Sequence, residues 1–345
     1  MPWILLACVE SGLNKQTPDV AEPHGVASLE GRSCRPDGHG PLVGGSVTVV
    51  ARDGEVIVDA QMAVADTDGV WGFSEVPAGL PLTVSVQWKG AVIQSYELEL
   101  VDAQNETVVW EGCSPLPELS VLVVEGYYDD FAAVLSAVPN LSVETLDGSS
   151  KDALLSLLQD PTRMADHDVL FFDGGHVEEG VIWGVSSADQ MTALEVQQNL
   201  ADYVSAGGGV YASDWAYDVV EQTWPDKLDF LGEDTVPDAA QYGVSEAVSS
   251  TVSNASLAEY LGTDEVDITF DLPVWPVVVG GSDYTSVHLV GDVTYQSGEV
   301  ETPFPGSPLL VSFHAGEGRV VFSSFRQQAN TDEMREILEF ALFHL

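Results

Sequence analysis

Cysteine is scarce in this 345-residue chain: three occur, Cys8, Cys34 and Cys113, and none lies beyond residue 113. A thiolate nucleophile and a cysteine-ligated metal are therefore excluded from the whole C-terminal part. Basic residues are few as well, 11 Lys and Arg against 55 Asp and Glu, for a formal net charge of −44. A field of that sign repels phosphate backbones and anionic headgroups, so nucleic acid is excluded as a partner. No apolar run is long enough to span a bilayer, which leaves a lipid anchor as the only membrane contact expected. Also missing are a phosphate-binding loop, a dinucleotide fingerprint, paired CxxC motifs, an EF-hand loop and a G-x-S-x-G signature. Nucleotide and zinc-ribbon functions thus have no support; no cofactor is expected, and a divalent cation has only scattered acids behind it.

What the chain does contain is 45% hydrophobic residues over a length sufficient for two cores. Its first eight residues, MPWILLAC, resemble a bacterial lipobox, with Leu5, Leu6 and Ala7 preceding Cys8 as the lipidation site. Residues 1–40 are accordingly expected to be a truncated lipoprotein signal and a linker rich in Gly, Pro, Ser and charge. The protein would then be exported and held at the outer membrane or cell surface. Cys34 and Cys113 bracket the segment that follows, and in an oxidising compartment the expected arrangement is a disulfide between them; two buried thiols are the alternative.

Residues 41–115 read as all-β. SVTVVAR (46–52), VIVDAQM (56–62), VWGF (70–73), LTVSVQW (82–88), YELEL (96–100) and TVVW (107–110) are rich in β-branched and aromatic residues and separated by Asp-Gly, Pro-Ala-Gly and Lys-Gly turns. Such spacing predicts a small sandwich. The stretch TDGVWGFSEVPAGLPLTV (67–84) resembles the repeat of carboxypeptidase regulatory-like, transthyretin-like domains, which implies that fold and a spacer or accessory role. Trp71 and Trp88 are read as core aromatics, with a sugar-binding face as the alternative.

After residue 116 the period changes. LSVLVVEG (119–126), DVLFFDGG (168–175) and GVYAS (209–213) are continuous apolar strands, and amphipathic helices are expected near 131–138, 152–158 and 189–205. Alternation of this kind predicts a parallel sheet covered on both faces. Residues 232–300 break it with four strand-like runs and a short helix at 257–261, read as a β-rich insertion. LLVSF (309–313) and RVVFSSF (319–325) predict an antiparallel hairpin, followed by a helix at 331–344.

Residues 117–345 resemble the class I glutamine-amidotransferase-like fold. DVLFFDGG resembles the strand whose Gly-Gly pair, Gly174 and Gly175, supplies an oxyanion amide; LADYVSAGGGVYASDWAY resembles the helix, glycine turn and nucleophile elbow; GEGRVVFSSFRQQAN resembles the hairpin that delivers the catalytic histidine. The resemblance implies a flavodoxin-like three-layer α/β domain with its site at the carboxyl ends of the strands. It also shows two departures, since Asp214 stands where the nucleophilic cysteine belongs and Arg326 where the histidine belongs. Loss of both removes the pair that acyl transfer requires.

The expected fold is thus multidomain, an all-β sandwich followed by an α/β domain. Its function is read as binding of a small molecule, glycan or protein by a catalytically degenerate domain. The crevice would be built from Glu125, Asp173, Gly174, Gly175, His176, Asp214, Trp215 and Arg326. Two alternatives stay open: a hydrolase using Ser213 or Asp214 with His176 as base, and a purely structural envelope component with Trp215 and Tyr217 filling the crevice. The four side chains Glu125, Asp173, His176 and Asp214 lie at strand ends, but they carry no ligand spacing and no metal is assigned to them.

Overall fold

The computed structural model describes residues 25–35, 40–88, 91–100, 105–107, 118–128, 131–136, 138, 141–233, 236–326 and 331–344. Cys8, the proposed lipidation site, and Cys113 lie outside the described residues. Cys34 is disulfide-bonded, and its partner cysteine also falls outside them.

The N-terminal strands are β1 (Val26–Arg32), β2 (Ser46–Asp53), β3 (Val56–Val64), β4 (Val70–Pro77), β5 (Pro81–Trp88), β6 (Ala91–Glu99) and β7 (Asn105–Thr107). They form two sheets, in the orders β4-β1-β7 and β3-β2-β5-β6. Because side chains alternate across a strand, Val47, Val49 and Ala51 of β2 and Leu82, Val84 and Val86 of β5 turn to one side. There they meet Leu29 of β1 and Trp71 and Phe73 of β4 in a single buried cluster. This is a sandwich-like pair of sheets. Trp71 belongs to its core, with the indole N–H donating to Ser33 Oγ at 2.8 Å; it presents no face to a sugar. The stretch expected to be a linker up to residue 40 is corrected here, since β1 pairs with both β4 and β7. Its inward positions are Ala27, Leu29 and Gly31, so a single large apolar side chain is all the hydrophobic signal the strand leaves in the sequence.

A nine-stranded mixed sheet organises the remainder. Its parallel part comprises β8 (Leu119–Glu125), β9 (Leu141–Asp147), β10 (Val169–Phe172), β11 (Gly209–Ser213) and β18 (Gly318–Ser323), in the spatial order β9-β8-β10-β11-β18. The intervening helices are α1 (Phe131–Leu135), α2 (Lys151–Leu158), α3 (Pro161–Ala165), α4 (Ser187–Ser205) and α5 (Tyr217–Thr223). The central strands are continuously apolar because both faces are covered. Leu122 and Val124 of β8 pack with Leu154 and Leu157 of α2 and Val196 and Leu200 of α4. Val121 and Val123 pack with Phe131 of α1 on the other face. Ser150 and Ser186 cap α2 and α4, accepting from Ala153 N and Asp189 N.

The β-rich insertion comprises β12 (Leu228–Phe230), β13 (Glu246–Val252), α6 (Ala255–Leu261), β14 (Glu265–Phe270), β15 (Val278–Gly281) and β16 (Thr285–Ser297). β13, β14 and β16 extend the main sheet antiparallel beyond β17 (Val300–Ala315), while β12 and β15 pair apart from it. The predicted late hairpin is β17 against β18, followed by α7 (Asp332–His344), whose Met334, Ile337, Leu338 and Ala341 are buried. No helix among the described residues is long and apolar enough to cross a membrane.

Candidate functional site

Strand β11 is buried from Val210 to its end at Ser213, and the chain then turns through Asp214–Ala216 into α5. Asp214 is only 3% exposed and takes φ = +50°. A left-handed backbone costs a non-glycine residue about 1–2 kcal/mol and persists only where its surroundings over-determine it. What determines it here is close packing from two sides. A Cβ added at Gly174 would lie 3.0 Å from Trp215 N and 3.2 Å from Asp214 Cβ. Behind it, a Cβ at Gly126 would lie 2.1 Å from Gly174 O. Glycines at 126 and 174 therefore let the ends of β8, β10 and β11 close on one point, with the Asp214 carboxyl in the middle. Gly175, at φ = +91°, faces the Tyr128 ring from the β8 end.

The other expected site residues do not all join this point. His176 is fully buried at its ring, and its Nδ1 contacts Asp173 O at 2.9 Å. A carbonyl can only accept, so the ring proton sits on Nδ1 and Nε2 carries the lone pair. That Nε2 faces Glu178 Oε1 at 3.7 Å, while the Ser213 hydroxyl donates to Phe172 O at 3.5 Å. Ser213 and His176, one pairing of the hydrolase alternative, are thus engaged elsewhere and do not hydrogen-bond to each other. Burial lowers the His176 pKa to about 4, so the ring is neutral in neutral solution. Glu125 ends β8 exposed, and Asp173 is buried, with its backbone N–H donating to Val124 O.

Arg326 does not offer an open anion clamp. Its Nε and Nη2 donate to Asp271 Oδ1 at 2.8 and 2.7 Å, and Nη1 donates to Tyr128 O at 3.1 Å. The anion it holds is supplied by the chain itself, from the turn after β14. Trp215 donates from Nε1 to Asp238 Oδ1 at 2.9 Å and stacks on Tyr242 at 4.8 Å between ring centroids. Tyr217 is fully buried and meets Trp215 edge-on.

One group of residues escaped the sequence reading. Glu178, Asp218 and Glu221 are buried together beneath the elbow helix. Glu178 and Asp218 share a hydrogen bond, Asp218 also bonds Glu221, and Asp218 Oδ2 accepts from Asp238 N at 2.9 Å. Burial first, and then the neighbouring Asp218 charge, push the Glu178 carboxyl well above its ordinary range. Burial likewise lifts Asp218 to about 6. The acids of HVEEG and AYDVVEQ sit some forty residues apart, and nothing local in either motif signals that they meet. Among the described residues, no group of three or more His, Cys, Asp and Glu side chains is arranged to hold a metal ion. Two open cavities, of about 310 and 380 Å³, lie at the opposite end of the sheet, where Gly207 and Gly208 precede β11.

No family model matches the chain, and no curated protein matches it. Among solved structures it is similar to a ThuA-like protein from Bacteroides uniformis, at 11% identity over 66% of this chain and 91% of that one, with a TM-score of 0.41. It is also similar to the cytoplasmic protein STM3548 of Salmonella typhimurium, at 11% identity over 65% of this chain and 97% of that one, TM-score 0.40. A third is the cytoplasmic protein STM1381 of Salmonella typhimurium LT2, at 12% identity over 65% and 96%, TM-score 0.41. Those two Salmonella proteins are named as cytoplasmic, in contrast to the exported outer-membrane or cell-surface lipoprotein expected of this chain.

Proposed function

We propose that residues 117–345 form a ligand-binding relative of the class I glutamine-amidotransferase-like fold, with a carboxylate in place of the thiol at its elbow. The observation that carries this reading is Asp214 itself: a buried acid held at φ = +50° on a strand-to-helix turn, against Gly174. Strain of this kind is retained where a side chain must be presented at one place. The parallel strand order, with β8 and β10 adjacent and β9 and β11 outside them, supports a flavodoxin-like arrangement whose ligand edge is the carboxyl end of the strands. Acyl transfer through a thiolate is outside the reach of a segment without cysteine. A buried carboxylate beside the Trp215–Tyr242 stack suits a small hydroxyl-rich molecule, such as a glycan unit, that stacks one face and donates hydrogen bonds. The N-terminal pair of sheets is read as a transthyretin-like spacer.

The test is a thermal-shift titration of the full chain with mono- and oligosaccharides, with divalent cations as a separate arm and Asp214→Asn and Asp214→Ala alongside. A ligand that binds only the folded state raises Tm. A sugar-dependent rise that is lost in Asp214→Ala supports the reading. Absence of any rise in the folded wild type, or a rise indifferent to residue 214, overturns it.

A further inference from the structure

Among the described residues, strand β3 stands at one edge of its sheet, paired with β2 alone, and it is unusual in what it exposes. Val56 is 66% exposed, Met62 71% and Val64 62%, and Ile57 and Val58 are exposed as well. Ala60, Met62 and Val64 pair with Val50, Thr48 and Ser46 of β2 on the face turned away from the buried cluster. The backbone N–H and C=O groups that point away from β2, beside this apolar stripe, are a template for another strand.

The other edges of the two largest sheets are guarded. At the ends of the main sheet, β14 exposes Glu265 and Asp267, and β9 exposes Glu144 and Asp147. At the far end of its own sheet, β6 exposes Glu97 and Glu99. On a chain of net charge −44, those carboxylates repel a second copy of the same edge. β3 carries one charge in nine residues, Asp59, and the Gln61 amide donates to it at 2.7 Å. No proline and no lysine interrupts the strand. In an antiparallel pair of two β3 strands centred on Ala60, Val56 faces Val64 of the second copy, Val58 faces Met62, and Asp59 falls opposite Gln61, so no like charges meet.

We propose that β3 is a self-association edge, joining two copies of this chain by antiparallel β3–β3 pairing about a twofold axis. A closed isologous pair removes both edges at once and covers the apolar stripe with its own image. Because each copy carries a net charge of −44, the pair tightens as salt screens the repulsion between them.

The experiment is light scattering with size exclusion on the full chain over a range of concentration and ionic strength, with Met62→Lys and the double variant Met62→Lys, Val64→Lys. Both positions are solvent-facing, so the fold survives, and the unchanged Tm of the dilute variants checks this. The expected result is a wild-type dimer whose dissociation constant falls with salt and rises at least about tenfold in the double variant. Backbone amides of β3 should gain hydrogen-exchange protection as concentration rises. A wild type that stays monomeric throughout, or a dimer that survives the double variant undiminished, overturns the proposal.

Discussion

Glu178 and Asp218 share a hydrogen bond between two buried carboxyl groups, one on the loop after β10 and the other in the first turn of α5. Two carboxylates cannot both ionise in such a place without strong repulsion, so the pair retains a proton.

The pH dependence follows from the sign of the shift. A carboxyl whose folded pKa is raised contributes stability below its unfolded value and loses it as pH climbs towards the folded value. For Glu178 that loss opens above pH 4.5, and for Asp218 it runs from 3.8 to about 6. Glu178→Gln, which keeps a donor for Asp218 but has no charge to suppress, should match wild type near pH 4 and exceed it increasingly through neutrality. Thermal melts from pH 4 to 8 check this, each kcal/mol appearing as roughly 2–4 °C. A constant offset between the two proteins would remove the shared proton from the account.

His288 gives the opposite slope. Asn254 Nδ2 donates to its Nδ1 at 2.9 Å and its Nε2 meets Ser312 Oγ at 2.8 Å, so the ring is held neutral. Burial, with Arg319 adding to it, lowers its pKa from 6.5 to about 4. The unfolded chain binds the extra proton across that window, so His288 costs stability as pH falls, by up to about 3 kcal/mol. A His288→Gln variant should show a flatter fall of Tm between pH 6.5 and 4 than wild type does.

At the elbow, the backbone and the carboxyl are separable. Asparagine tolerates the left-handed region and keeps the shape of Asp214, so Asp214→Asn should be as stable as wild type or more so. Asp214→Val has to place a β-branched side chain at φ = +50° and should lose about 2 kcal/mol or more. Denaturant midpoints of the two variants decide the matter.

Gly126→Ala should be among the most damaging small changes in the chain. Its added methyl meets the Gly174 carbonyl, which is backbone and cannot swing aside. A loss of about 1–3 kcal/mol is expected, together with loss of any ligand-dependent rise in Tm.

Arg326→Lys tests whether the guanidinium is a tie within the chain. A lysine cannot reach both Asp271 and the Tyr128 carbonyl. Stability should drop by about 1–2 kcal/mol, discounted because Asp271 is partly exposed. Asp271→Asn should lower it similarly, and little further loss in the double variant would show the two acting as one pair.

Much of the architecture was legible in local pattern. Continuous apolar runs marked β8, β10 and β11, because strands covered on both faces leave no polar side. The helical spacing of Ala193, Val196, Leu200 and Val204 marked α4, and all four are buried. The apolar runs in LLVSF and RVVFSSF, on either side of a glycine-containing turn, marked the late hairpin. β1 was lost because Leu29 is its one large inward side chain, and α5 because it is short and buried on nearly every side, acids included.

The sequence by itself determined most of the strand and helix segments, the loss of thiol chemistry beyond Cys113, and the presence of an acid at the elbow. These are properties of neighbouring residues, and periodicity or identity is enough to state them. Tertiary structure alone decided that His176 turns to Asp173 and Glu178 instead of Ser213, that Arg326 is held by Asp271, and that Glu178 meets Asp218. The reason is that Glu178 and Asp218 are 40 residues apart and Arg326 and Asp271 are 55 apart, and they come together through the crossover of a parallel sheet and the return of an antiparallel extension. Which acid ends beside which base depends on strand order and register, and no local spacing encodes either.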